Sequence, residues 1–96
     1  MTELEHLFCI AGEEGVEVSQ RVSKILRFGR GEIQPGQDLN NTERFVQEFN
    51  DLVAVMEMLQ DAGAIGTIYR PELIMAKKRK VSEFLLYSRG LGMVDN

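Results

Sequence analysis

Between Phe45 and Leu59 the chain places apolar residues at Phe45, Val46, Phe49, Leu52, Val53, Val55, Met56, Met58 and Leu59. Wound as a helix, they nearly encircle its axis, and a helix apolar over so wide an arc is buried on most sides. The chain has 96 residues, near the lower limit for a domain that completes its own core. Two further helices from so short a chain cannot cover such a cylinder. The pattern therefore implies a subunit interface, at least a homodimer, because symmetric association is the usual way a small chain completes its core.

Helical periodicity and its punctuation predict an all-α chain of three main helices. The first begins at Thr2, whose Thr-x-x-Glu spacing to Glu5 is a capping box, and runs to Phe28 before Gly29. Gly12 and Gly15 lie inside it, each costing about 1 kcal/mol against alanine, which suggests close approach by a ligand or a second backbone, or a packing adjustment. Residues 29–41 hold three glycines, Pro35 and a polar run; they read as a long connection serving as a lid or crossover. The second helix starts with Asn40 or Asn41 as cap and ends at Gly63. After a short connection, with Thr67 and Ile68 as candidates for extended chain, Pro71 opens a third helix that ends at Gly90.

Two acid pairs recur in matching register. Setting the apolar centre of the first helix at Ala11 and of the second at Phe45 puts Glu14 and Glu48 each about 60° from centre, and Glu17 and Asp51 about 120° from it on the same side. Two helices that pack together would thus bring four carboxylates to one seam. Like charges about 5 Å apart repel by about 3 kcal/mol at an effective dielectric near 20, so either their pKa values rise or cations neutralise them. Ligands that are all oxygen select hard cations, Mg²⁺ foremost with Mn²⁺ as a substitute, and Mg²⁺ commonly shares its shell with substrate phosphates. A solvated acidic face is the plainer alternative for either pair alone.

Composition narrows the field of partners. Fifteen acids against eleven Lys and Arg give a net charge of −4, which argues against general nucleic-acid binding. No apolar run approaches membrane-spanning length, no signal-like segment opens the chain, and the single cysteine, Cys9, forms no internal disulfide. A soluble, cytoplasmic domain is expected. Lys77 and Lys80 share one flank of the third helix beside Phe84; Lys78 and Arg79 read as a solvated face. Lys24 and Arg27 suit the negative end of the first helix dipole and are also placed to meet phosphate or base. His6 reads as a surface residue, Cys9 as a small packed residue rather than a nucleophile, and the five methionines as core filler.

The Glu13-Glu14-x-x-Glu17 motif, followed about thirty residues later by Glu48-x-x-Asp51, resembles the MazG-like branch of the all-α nucleoside triphosphate pyrophosphohydrolases. Lys24-Ile25-Leu26-Arg27-Phe28-Gly29, the run from Asn40 to Asp51, and Lys77-x-x-Lys80 with Phe84-Leu85-x-Tyr87-Ser88 extend the likeness to the short phage and bacterial members, over roughly residues 4–92. The resemblance implies a four-helix-bundle-type core completed by oligomerisation, as a homodimer or homotetramer. It also implies Mg²⁺-dependent hydrolysis of a (deoxy)nucleoside triphosphate to the monophosphate and pyrophosphate, for house-cleaning or nucleotide-pool control, in the host cytoplasm if the chain is viral. On that likeness Glu14, Glu17, Glu48 and Asp51 are metal ligands, Glu13 and Glu17 serve the attacking water, and Lys77 and Lys80 meet the triphosphate. Two alternatives stand beside it: a phosphoribosyl-ATP pyrophosphohydrolase-like enzyme, and a non-catalytic helical oligomerisation or adaptor module.

Overall fold

Capping decides where each helix begins and ends in the computed structural model, which describes residues 1–95. Helix α1 spans Glu3–Phe28, α2 spans Asn41–Asp61 and α3 spans Pro71–Gly90; among the described residues there is no strand, at Thr67 and Ile68 or elsewhere. The capping box expected at Thr2 is present, with Glu5 N–H donating to the Thr2 hydroxyl and Thr2 N–H to the Glu5 carboxylate, both at 3.1 Å. Asn40 and Glu43 build a second box at the start of α2, at 2.9 and 3.1 Å. Pro71 opens α3 without a side-chain cap.

The helices end where the sequence places them at Phe28 and Gly90, and α2 ends two residues short of Gly63. Helix α2 stops at Asp61, and Ala64 N–H reaches back to the Leu59 carbonyl at 3.0 Å around Gly63, whose φ is +72°. Helix α3 keeps Gly90 and closes one turn later, with Met93 N–H on the Ser88 carbonyl around Gly92 at φ +76°. Both ends use the same device, a left-handed glycine with a six-residue backward bond; Gly90 lacks that bond, so the helix runs through it. The sequence reads as a tail over Leu91 to Asn96 that frays or docks on a partner, and of it Asn96 lies outside the described residues.

The connection between α1 and α2 is a fastened crossover. Asn41, 1% exposed, donates its side-chain amide to the Gly29 carbonyl at 2.8 Å and to a Glu32 carboxylate oxygen at 3.0 Å. Its backbone N–H reaches the Glu32 carbonyl, and Thr42 N–H the Arg30 carbonyl. A buried amide must find partners for its hydrogens, and these partners tie residues 29–32 to the first turn of α2.

Helices α1 and α2 pack antiparallel on one another. The positions of α1 withdrawn from solvent in step are Leu7, Ala11, Glu14, Val18, Arg21 and Ile25; those of α2 are Asn41, Phe45, Glu48, Leu52, Val55 and Leu59. Both series alternate steps of four and three residues, the heptad spacing of a coiled pair of helices. Helix α3 packs on neither α1 nor α2 among the described residues. The connection before it is held to α2 by Ile68 N–H donating to the Gln60 side-chain oxygen at 2.8 Å, and from there α3 leads away.

The consequence is a chain without an interior of its own. Among the described residues only Leu59 and Asn41 are fully buried. The methionines expected as core filler are largely exposed, with Met1, Met58, Met75 and Met93 all at or above half exposure, and Cys9, expected to be packed, is exposed as well. These corrections share one cause: the surfaces that would cover those side chains are not supplied by the same chain. The radius of gyration is 16.9 Å, where a compact chain of this length has about 12.5 Å. The accessible surface is 7526 Å², where a folded monomer of this mass exposes about 5,600 Å².

Candidate metal centre

The acid pairs meet where their angular register places them. Glu14 and Glu48 are half-buried in the α1–α2 seam, while Glu17 and Asp51, one turn further round, are exposed at its edge. Glu14, Glu17 and Glu48 each present a carboxylate oxygen within 4.8 Å of the other two. Asp51 lies close enough for its charge to act on both Glu14 and Glu48. Helical order supplies this arrangement directly: the acids sit three residues apart on each helix, and the antiparallel seam sets Glu17 opposite Glu48 and Glu14 opposite Asp51.

Electrostatics follow from the geometry. The Glu14 carboxyl is pushed above its ordinary value, first by loss of solvent and then by the negative charges of Glu17, Asp51 and Glu48. Glu48 is raised as well, by loss of solvent, by a carboxyl–carboxyl hydrogen bond with Glu17 and by the charges of Glu17 and Asp51; Arg21 opposes the rise. Glu14 Oε2 is shielded from solvent and has no hydrogen-bond partner.

That unpartnered oxygen and the donor set allow the fit of a divalent cation to be tested. All donors are carboxylate oxygens, the preference of Mg²⁺ and Mn²⁺. Oxygens on opposite sides of Mg²⁺ stand about 4.2 Å apart, given ligand distances of about 2.1 Å, so a spread of up to 4.8 Å closes with a small side-chain rotation. The residues fit the ion.

The other residues singled out in the sequence are not gathered at this point. Glu13 is exposed and is not among the acids that raise Glu14 or Glu48. Lys24 is half-buried, and its ammonium lies 5.6 Å from the centre of the Phe28 ring; the Arg27 guanidinium lies 4.8 Å from the same ring. Lys77 and Lys80 are exposed on α3, and the Lys80 ammonium sits 5.9 Å from the Phe84 ring. His6 is exposed. Gly12 and Gly15 have open space where a side chain would project, with no atom within 4 Å, so no backbone of the same chain approaches them.

One participant escaped the sequence reading. Arg21 is the cation acting on Glu48; it lies in the seam and has a solvent-shielded Nη1 without a hydrogen-bond partner. The signal was available, since Arg21 stands seven residues after Glu14 and one heptad keeps both on one stripe.

An open groove lies elsewhere, on the flank of α2 away from the Glu14–Glu17–Glu48 cluster. It encloses about 850 Å³ between α2, the connection and the start of α3, with Phe49, Val53, Met56, Ile68, Tyr69 and Ile74 among its walls. Its lining is mostly apolar, with Glu57 and Asp61 as its charged members. Comparison with family models, with curated proteins and with solved structures finds no match to this chain.

Proposed function

We propose that this chain is a Mg²⁺-dependent nucleoside triphosphate pyrophosphohydrolase acting as a homo-oligomer. One observation carries the reading: glutamate oxygens from two separate helices converge within 4.8 Å around a solvent-shielded oxygen that has no partner. Acids on a solvated face spread apart; here packing forces them together at an electrostatic cost that a bound cation relieves. The paired motif's resemblance to MazG-like enzymes gives the same direction and names the substrate class.

In this reading Glu14, Glu17, Glu48 and Asp51 hold the ion, with Mn²⁺ as a substitute. When bound, Mg²⁺ neutralises charge on the acids and on the phosphate oxygens of a triphosphate. Glu17 stands at the exposed edge of the cluster, next to bulk water, and is suited to accept the proton of the attacking water; Glu13 flanks it on the solvent side as an accessory base. Lys24 lies seven residues beyond Glu17, about 10 Å along the helix, and with Arg27 offers positive charge to a phosphate chain or base lying along α1. Lys77 and Lys80, exposed on α3, are the further cations offered to the triphosphate.

The test is incubation with Mg²⁺ and a panel of standard and modified nucleoside triphosphates, separating the products. Monophosphate with pyrophosphate supports the reading, and release of inorganic phosphate without pyrophosphate overturns it. The adaptor alternative is separated by thermal stability: Mg²⁺ or Mn²⁺ raises the melting temperature of a protein with this ion site and leaves an adaptor unchanged.

A further inference from the structure

We propose that two copies of this chain exchange α3, each laying it into the α2 groove of the other. The inference rests on the oligomeric part of the reading above and not on its chemistry. Its first support is area. The chain exposes about 1,900 Å² more than a folded monomer of its mass, whereas a standard interface takes about 800 Å² from each partner. The surplus has the size of an obligate interface and is concentrated where such an interface needs it. Phe49 is half exposed at the groove, and on α3 Leu73, Phe84, Leu86 and Tyr87 are each more than half exposed.

The second support is charge. Helix α2 carries Glu43, Glu48, Asp51, Glu57 and Asp61 against the single cation Arg44, a net of −4. Helix α3 carries Lys77, Lys78, Arg79, Lys80 and Arg89 against Glu72 and Glu83, a net of +3. Glu57 and Asp61 stand on the groove wall itself. A basic, apolar helix and an acidic, apolar groove are complementary in both respects.

The third support is connection. Most helical stability in proteins comes from packing, and α3 packs on neither α1 nor α2 among the described residues. The hydrogen bond from Ile68 to Gln60 holds the connection against α2 after the left-handed turn at Gly63, and of α3 only Ile74, near its start, borders the groove. Two-fold symmetry completes the arrangement, because each copy then gives and receives the same pair of surfaces.

Cross-linking of full-length chains tests this without reference to turnover. On a C9A background, one chain carries V53C in the groove and another L85C on α3; M56C with V81C is the second pair should the first fail to fold. The chains are mixed, refolded together and treated with a short thiol-reactive cross-linker. The expected product joins one V53C chain to one L85C chain at about twice the single-chain 10.9 kDa, and light scattering at micromolar concentration reads at least a dimer. A single-chain mass, cross-linking only within a chain that carries both substitutions, or V53C joining only V53C overturns the proposal. An inactive protein that cross-links as expected leaves the exchange standing and removes only the enzymatic reading.

Discussion

Glu14 occupies a seam position where a coiled pair of helices ordinarily carries an apolar side chain, and its neighbours across the seam are acids. Removing its charge therefore separates function from folding. Glu14→Gln, or Asp51→Asn at the seam's edge, is expected to abolish turnover while the metal-free melting temperature stays level or rises; melting below the metal-free wild type would count against a strained cluster. The same residues set a pH dependence. Glu14 and Glu48 are both raised above the ordinary 4.5, so the folded chain holds protons that the unfolded chain has released. Their contribution to stability is full below that ordinary value and is lost as pH rises through the raised values. Metal-free protein should accordingly melt higher near pH 5 than near pH 7, at about the same ionic strength, with a smaller difference in a Glu14→Gln/Glu48→Gln variant. Glu5 works in the opposite sense, because its capping bonds with Thr2 lower its pKa, and that contribution is lost as pH falls. A melting temperature that rises from pH 5 to pH 7 in the absence of metal would show that the cluster does not govern the profile.

At the scale of the element, the fastening of α2 to the crossover rests on Asn41. Asn41→Ala leaves the Gly29 carbonyl and the Glu32 carboxylate without their donor, a loss of about 1–3 kcal/mol for buried groups. The urea midpoint measures it, and a change below about 0.5 kcal/mol would mean that water replaces the amide at no cost. Gly12 tests the open flank of α1. With no atom within 4 Å of the place a methyl group would take, Gly12→Ala should stabilise the helix by about 1 kcal/mol; destabilisation would reveal a second subunit closely packed there. The helix limits were legible in the sequence because caps are local chemistry, as at Thr2–Glu5 and around Gly29. The end of α3 at Gly90 was legible too, but not that Gly92 makes the closing left-handed turn, which the backbone bond from Met93 decides. The acid register could be read from angles alone. Arg21 was missed because the apolar face was counted without its polar members, while the packed seam includes them at heptad spacing.

At the scale of the molecule, the wide apolar arc of α2 correctly signalled that three helices would not bury one another, and the exposed methionines are the cost of that shortage. The direction of α3 was not legible, since periodicity orders residues around each axis but says nothing of how the axes are placed. A chain with so little interior should have a stability that depends on association. Its melting temperature is expected to climb with protein concentration over the micromolar range, and a concentration-independent value would indicate a self-sufficient monomer. The alternating four-and-three spacing along both helices carries a last implication for shape. Straight helices at 3.6 residues per turn drift about 20° per heptad from such a stripe, so α1 and α2 must wind gently leftward about each other to keep Leu7 and Ile25 on the same line. Glu14 faces α2 through that register: one residue inserted between Ala11 and Glu14 would swing the glutamate and everything after it by about 100° relative to the first turns, dismantling the acid cluster while leaving every helix cap intact.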